Sequence, residues 1–296
     1  THCISSAASD VYKRQGRTGG GRLSKLMSLN DYTIHPTAIV EDGAVIGAGC
    51  EIGPFCHIGP RVVLGANSRL HSHVVLAGNT RIGDNAQIYP FASLGHAPQH
   101  LKYRGEDTRL VIGDNCLIRE SVTMNPGTVQ GRSETTIGDN CAFFTGAHVA
   151  HDCILGNNVT IINNVMLAGH CTIGDYATFA GGSAIHQFTR VGHHAYIGGL
   201  AAVEGDVIPF GMVIGNRAYL AGLNLIGMKR AGFNREAIRN VRKAYRMLFS
   251  EDLTFKENME EVEAEYPEDP LVQDLLGFIK AGGDRALCFP RSVRPA

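Results

Sequence analysis

The chain has 296 residues, 44 % of them hydrophobic and none of them tryptophan, enough for one long domain or two of ordinary size. Its 27 Lys and Arg against 28 Asp and Glu leave a net charge of −1, which gives no bulk attraction to nucleic acid or to an anionic membrane surface. No stretch reaches the uninterrupted apolar length of a membrane span.

Residues 1–26 are Ser-rich, then Gly-rich, and carry five basic residues against one acid without the apolar run of a secretory signal. They are read as a non-native or disordered leader, with Met27 as a more natural start.

From Ile34 a different pattern takes over. Every sixth residue is a branched aliphatic: Ile34, Val40, Ile46, Ile52, Ile58, Leu64, Leu70, Leu76, Ile82, Ile88 and Leu94. The phase returns at Ile112, Ile118 and Met124, slips once, and runs from Ile137 to Val203. A helix needs apolar residues every three to four positions and a half-buried strand every second one, so neither fits. A hexapeptide repeat does, in which three six-residue units make one coil and successive coils stack as parallel strands around the aliphatic core. The fold class expected is therefore an all-β parallel β-helix, a solenoid spanning 30–220, followed by a C-terminal helical domain over 221–296.

Two other slots of the unit agree. Small residues recur four places after the aliphatic, among them Cys50, Cys56, Cys116, Cys141, Cys153 and Cys171, which predicts buried free thiols in a reducing compartment. Asn67, Asn85, Asn115, Asn140, Asn158 and Asn164 recur three places after it and are expected to mark one class of left-handed corner.

The repeat is broken twice, near 95–111 and 125–136, by polar segments containing Gly and Pro. Both are predicted to be loops extruded from a rigid scaffold, a usual place for function. Beyond Val203 the repeat lapses. Asn234 can cap a helix carrying Ile238, Val241, Tyr245 and Leu248, Thr254 with Glu257 forms a capping-box pattern, and Asp269-Pro270 can start a further helix. The simplest task for this tail is to close the open end of the solenoid and add oligomer contacts.

Residues eighteen apart in an unbroken repeat lie one above another, about 4.8 Å apart. His151, Gly169 and Gln187 therefore form a column, with His170 and His186 beside it. An imidazole on one coil and a glycine N–H on the next are the parts of an acyl-transfer site, the ring as general base and the amide as oxyanion donor. Asp152 is placed to orient the ring. No serine or cysteine falls beside His151, which points away from a covalent enzyme intermediate.

These residues resemble a known family. Gly146-Ala147-His148-Val149-Ala150-His151-Asp152-Cys153, Leu167-Ala168-Gly169-His170 and Ala184-Ile185-His186-Gln187-Phe188 are similar to the motifs of the acyl-carrier-protein:UDP-N-acetylglucosamine O-acyltransferases that begin lipid A biosynthesis. Arg119-Glu120-Ser121-Val122-Thr123, Gly127-Thr128-Val129-Gln130-Gly131 and Lys229-Arg230-Ala231-Gly232-Phe233 extend the likeness in family order. The resemblance implies a left-handed parallel β-helix in a cytoplasmic homotrimer with active sites between neighbouring prisms. It implies transfer of an (R)-3-hydroxyacyl chain from acyl carrier protein to the 3-hydroxyl of UDP-N-acetylglucosamine, without metal or cofactor. His151 would then be the base, Asp152 its support and Gly169 the oxyanion donor. Lys102, His148, His170, His186, Gln187, Asn224 and Arg230 would bind substrate.

The chain departs from the family at several points. His100 stands where the best-known members carry an acid, Asn125 where they often carry His, and Ile226 and Ala231 where some hold Glu and a second Arg. Arg217 falls near the position that limits acyl-chain length. Other readings of the same repeat are an N-acyltransferase acting on a 3-amino sugar nucleotide, an acetyl-CoA-dependent acetyltransferase, a zinc site built on His148, His151 and His170, and a non-catalytic assembly module. The basic run Lys229, Arg230, Arg235, Arg239, Arg242, Lys243 and Arg246 is either a solvated helix face or a docking surface for an acidic carrier protein.

Overall fold

A computed structural model describes residues 32–291 of the chain. The leader expected over residues 1–26 lies outside the described residues, as does Cys3.

Three parallel sheets make the faces of a left-handed triangular prism. Face A begins with Thr33–Ile34 and Glu51–Ile52, face B with Ile39–Val40 and His57–Ile58, and face C with Val45–Ile46 and Val63–Leu64. The register keeps the sixth-position aliphatics in vertical file, so that Ile52 pairs with Leu70, and Leu167 with both Val149 and Ile185. Ile58, Leu76, Ile88, Ile118, Phe143, Val149, Ile161 and Phe179 are wholly buried in that file. Most strands are only two residues long, so each coil gains stability from the coils above and below it rather than from its own pairing.

The small slot lies inside, as the repeat demands. Cys50, Cys56, Cys116, Cys141, Cys153 and Cys171 are buried free thiols, and the C-terminal segment adds the buried Cys288. Their Sγ–H groups donate to main-chain carbonyls of the neighbouring coil, for example Cys153 to Ala168 O at 3.2 Å.

The asparagines correct one expectation. Asn67, Asn85, Asn115, Asn140 and Asn158 do share the corner between faces C and A, each with φ between 55° and 59°. Asn164, however, turns the A–B corner at φ 58°. All three corners adopt the left-handed conformation, and Phe55, His73, Phe91, Asp152, His170 and Phe188 hold it as well. Stacking against the coils on either side sets the turn, and asparagine merely tolerates it most cheaply.

The two interruptions are loops, and both leave the prism between faces B and C. The first runs from Leu94 to Arg109 and the second from Met124 to Glu134. Pairing resumes as though the extra residues were absent, with Gln87 beside Leu117 and Leu117 beside Ala142.

At the far end Gly211–Ile214 pairs parallel to the last full coil, and Tyr219–Leu223 folds back antiparallel with a bulge, ending face A. Four helices follow: α1 Leu225–Arg230, α2 Arg235–Leu248, α3 Phe255–Glu265 and α4 Pro270–Lys280. Asn234, Thr254 and Asp269 cap α2, α3 and α4 as the sequence predicts, with the full capping box at Thr254 and Glu257. The hairpin and α1 had no clear signal. Nor do the helices simply close the end: α4 docks on the flank of the upper coils, where the Arg190 guanidinium lies 4.4 Å from the Phe278 ring and Asp274 hydrogen-bonds His193.

Candidate active site

His151 and Asp152 form the turn between His148–Val149 on face B and Ile154–Leu155 on face C, the corner from which both loops emerge. The Asp152 side chain has no solvent exposure and His151 keeps 12 %. A buried carboxylate must be paired, and this one is paired fully. His151 Nδ1 lies 2.8 Å from Oδ2, the Thr128 hydroxyl donates to Oδ2 at 2.6 Å, and the Thr128 and Arg132 amides donate to Oδ1 at 3.0 and 2.8 Å. Burial alone would raise the Asp152 carboxyl, but these donors outweigh it and hold the group well below the ordinary carboxylate range.

An ionised Asp152 only accepts, so the proton on His151 sits at Nδ1 and Nε2 is left as the basic nitrogen. The second loop can approach this closely because residue 131 is glycine. A Cβ there would stand 2.4 Å from Asp152 Cγ.

One coil up, Gly169 lies against the His151 ring. A Cβ at Gly169 would come 2.6 Å from Cε1 and 2.9 Å from Nε2, so only glycine leaves the imidazole where it is. The Gly169 N–H meets no acceptor among the described residues. The His151 ring thus packs against the main chain of Gly169 on the next coil.

Other imidazoles crowd the corner. The His170 ring meets His151 edge-on at 5.1 Å and stacks on Phe188 at 4.4 Å. His100, from the first loop, packs edge-on against the other side of His151 at 5.0 Å. His148 receives or donates a 2.7 Å hydrogen bond at Thr123 Oγ1. Burial pushes both His148 and His170 below the ordinary histidine value, so at neutral pH neither adds a positive charge beside His151. His186 and Gln187 occupy the coil above, both exposed. Lys102 is exposed two residues beyond His100.

The ligating atoms of His151, Asp152 and His170 lie within 4.8 Å of one another, close enough for a metal ion. Both Asp152 oxygens are already occupied by protein donors, which leaves the carboxylate without a free lone pair to offer.

Asn224 and Arg230 are elsewhere. Asn224 caps α1, accepting from Gly227 N–H at 2.9 Å and donating to His194 O at 2.9 Å. With Arg230, Tyr176, His194, Tyr196 and Ile226 it lines a cavity of about 640 Å³ around the C–A corner and face A. That cavity shares no residue with the His151 corner. Ala231 and the exposed Ile226 make it more apolar than the acid and second arginine of some family members would.

Several residues were not legible as part of the site. Thr128 and Arg132 lie in a loop outside the repeat register, and the contact of His100 with His151 depends on how the first loop folds back. Asn125 is a brace: its Nδ2 donates to His96 O at 3.1 Å and ties the two loops together. Arg285 reaches His186 and Gln187 from the far end of the chain.

A triangular prism of six-residue repeats with a histidine–carboxylate pair on one corner defines the class as the hexapeptide-repeat transferases, and residues 43–78 match the bacterial transferase hexapeptide family. Residues 206–288 match the second domain of UDP-N-acetylglucosamine O-acyltransferase. An acyl-[acyl-carrier-protein]–UDP-N-acetylglucosamine O-acyltransferase of Rhizobium etli is 52 % identical over 257 residues, 87 % of this chain and 94 % of that one. The solved LpxA of Acinetobacter baumannii is 42 % identical with a TM-score of 0.83, covering 86 % of this chain and 99 % of its own. The UDP-N-acetylglucosamine acyltransferase of Francisella novicida superposes with a TM-score of 0.85 at 36 % identity, over 88 % and 95 % of the two chains. The chain belongs to the acyl-carrier-protein–UDP-N-acetylglucosamine O-acyltransferase family.

Proposed function

We propose that the protein transfers an (R)-3-hydroxyacyl chain from acyl carrier protein to the 3-hydroxyl of UDP-N-acetylglucosamine, the first step of lipid A biosynthesis, with His151 as general base. The observation that carries this reading is the His151 ring held by the buried Asp152 carboxylate and packed against the Gly169 main chain of the next coil. His151 Nε2 takes the proton of the sugar hydroxyl as its oxygen attacks the thioester carbonyl. The Gly169 N–H stabilises the oxyanion that forms, and Asp152 stabilises the imidazolium. Collapse breaks the carbon–sulfur bond, and the departing thiolate recovers the proton from His151. The balance closes with no metal, redox group or cofactor. An N-acyltransferase reading is not favoured, because the named relatives are O-acyltransferases.

Lys102, His148, His170, His186 and Gln187 surround the reacting centre on this reading, and Asn224 and Arg230 complete it from a neighbouring subunit. The support is geometric. Two substrate-binding sets lie at different corners of one chain, and a homotrimer of parallel prisms would place one chain's B–C corner against another's cavity. The exposed Arg235, Arg239, Arg242, Lys243 and Arg246 of α2, opposed by Glu236, suit docking of an acidic carrier protein. Buried free thiols and a carrier-protein donor point to the cytoplasm, and no helix among the described residues is long and apolar enough to cross a membrane.

The test is His151→Ala. It should yield a folded oligomer whose transfer activity falls by about two to four orders of magnitude. Retained activity would reassign the base. Mixing His151→Ala subunits with Arg230→Ala subunits, followed by unfolding and reassembly, should restore activity that neither variant has alone. No recovery would place each complete site within one chain.

A further inference from the structure

We propose that Arg285 is a positioning residue of the transferase site, fixing His186 as an Nε2–H donor aimed at bound substrate. The inference rests on the transferase reading above. Arg285 lies beyond the last helix, in a segment that returns to the prism and crosses the B–C corner above Gly169. Its Nε donates to Gln187 O at 2.9 Å and its Nη2 to His186 Nδ1 at 2.7 Å.

The segment around it is anchored on both sides, so the contact does not depend on a loose tail. Asp206 N–H donates to Ala286 O at 2.8 Å, and Cys288 N–H donates to Asp206 O at 2.8 Å. The wholly buried Asp206 carboxylate also holds the Arg190 amide at 2.8 Å and its Nε at 2.7 Å. On the other side Gly283 presses on that same ion pair, where a Cβ would stand 2.6 Å from both Arg190 Nε and Asp206 Oδ2.

A guanidinium only donates and stays charged, so the nitrogen it meets must be an acceptor. His186 Nδ1 therefore carries no proton in this contact, and the ring proton sits on Nε2. The alternative is also visible. Gln187 O lies 3.3 Å from His186 Nδ1, close enough to accept from it if the proton were there instead. Arg285 engages both of those atoms at once and so excludes the second tautomer. Without the arginine His186 can bond to its own neighbour and turn a bare Nε2 toward the cleft. A donor would become an acceptor facing the oxygen-rich sugar and phosphates of a nucleotide sugar.

The experiment compares wild type with Arg285→Ala, using nitrogen NMR of ¹⁵N-histidine-labelled protein without substrate and steady-state kinetics with UDP-N-acetylglucosamine. The His186 signal, assigned by its loss in His186→Asn, should move from a single Nε2–H tautomer to a mixture. KM for the sugar nucleotide should rise about tenfold to a hundredfold, as for loss of a charge-assisted hydrogen bond, with kcat and thermal midpoint near wild type. An unchanged tautomer, or a parallel loss of kcat, KM and thermal midpoint, would overturn the proposal. Should Arg285→Ala fail to fold, Arg285→Gln keeps an amide donor on a shorter side chain that can reach at most one of the two acceptors, and the same two readouts decide. The NMR arm does not need turnover, so it distinguishes failure of this inference from failure of the transferase reading, which would show as wild-type protein inactive on the sugar nucleotide.

Discussion

Asp152 carries the electrostatics of the corner. A carboxylate with no solvent exposure would be costly if unpaired, yet here four donors from three residues converge on it. Thr128→Val removes the hydroxyl donor while keeping the shape, and should cost about 1.5–3 kcal/mol in urea unfolding at neutral pH. The sign of its pH dependence follows from the depressed carboxyl. A folded-state value below the unfolded one, about 3.9, gives stability that is present above that pH and lost as pH falls toward the folded value. The penalty of Thr128→Val should accordingly shrink on acidification below about pH 4, and a penalty constant with pH would show that the carboxylate is not what the hydroxyl serves. At this scale the sequence made some partners legible and hid others. The column of His151, Gly169 and Gln187 is legible because a period of eighteen residues places them by counting. Thr128, His100 and Arg285 reach the corner from segments that counting does not govern, and their contacts had to be seen.

The elements show the same division. The six-residue repeat, both loops and the caps of α2, α3 and α4 followed from period and cap chemistry, because those signals are local. The hairpin at Tyr219–Leu223 and the docking of α4 on the prism flank depend on contacts between distant segments, for which the chain carries no periodic mark. That docking contains a pair of adjacent histidines in contact. His193 bonds Asp274 of α4 through one ring nitrogen and meets His194 Nδ1 at 2.8 Å through the other. Burial, with the neighbouring His193, pushes His194 down to about 4. A histidine lowered on folding contributes stability that is complete above its unfolded value and is lost as pH falls toward its folded one. The thermal midpoint should therefore fall between about pH 6.5 and 4, and His194→Asn should flatten that fall. Asparagine suits the site because φ is 54° there. An unflattened profile would assign the pH dependence to other groups.

Across the whole molecule, stability is distributed along a file of stacked side chains, and no single coil has a core of its own. Phe143 is wholly buried midway along that file, one coil from Ile118 and one from Ile161. Phe143→Ala should cost about 3–5 kcal/mol in chemical denaturation, through lost burial and the void it leaves. A loss below about 1 kcal/mol would mean that the coils above and below close the gap. Since the left-handed corner recurs along the prism, Asp152 and His170 hold backbone angles that Phe55, His73 and Phe188 hold with no part in the chemistry proposed for that corner. The chemistry is therefore a choice of side chains written onto a repeated stair, and the stair itself is indifferent to where the choice is made. Removing or adding one complete turn far below that corner would shorten or lengthen the column like a section of scaffolding, while leaving the contact of the His151 imidazole with Asp152 and Gly169 as it was.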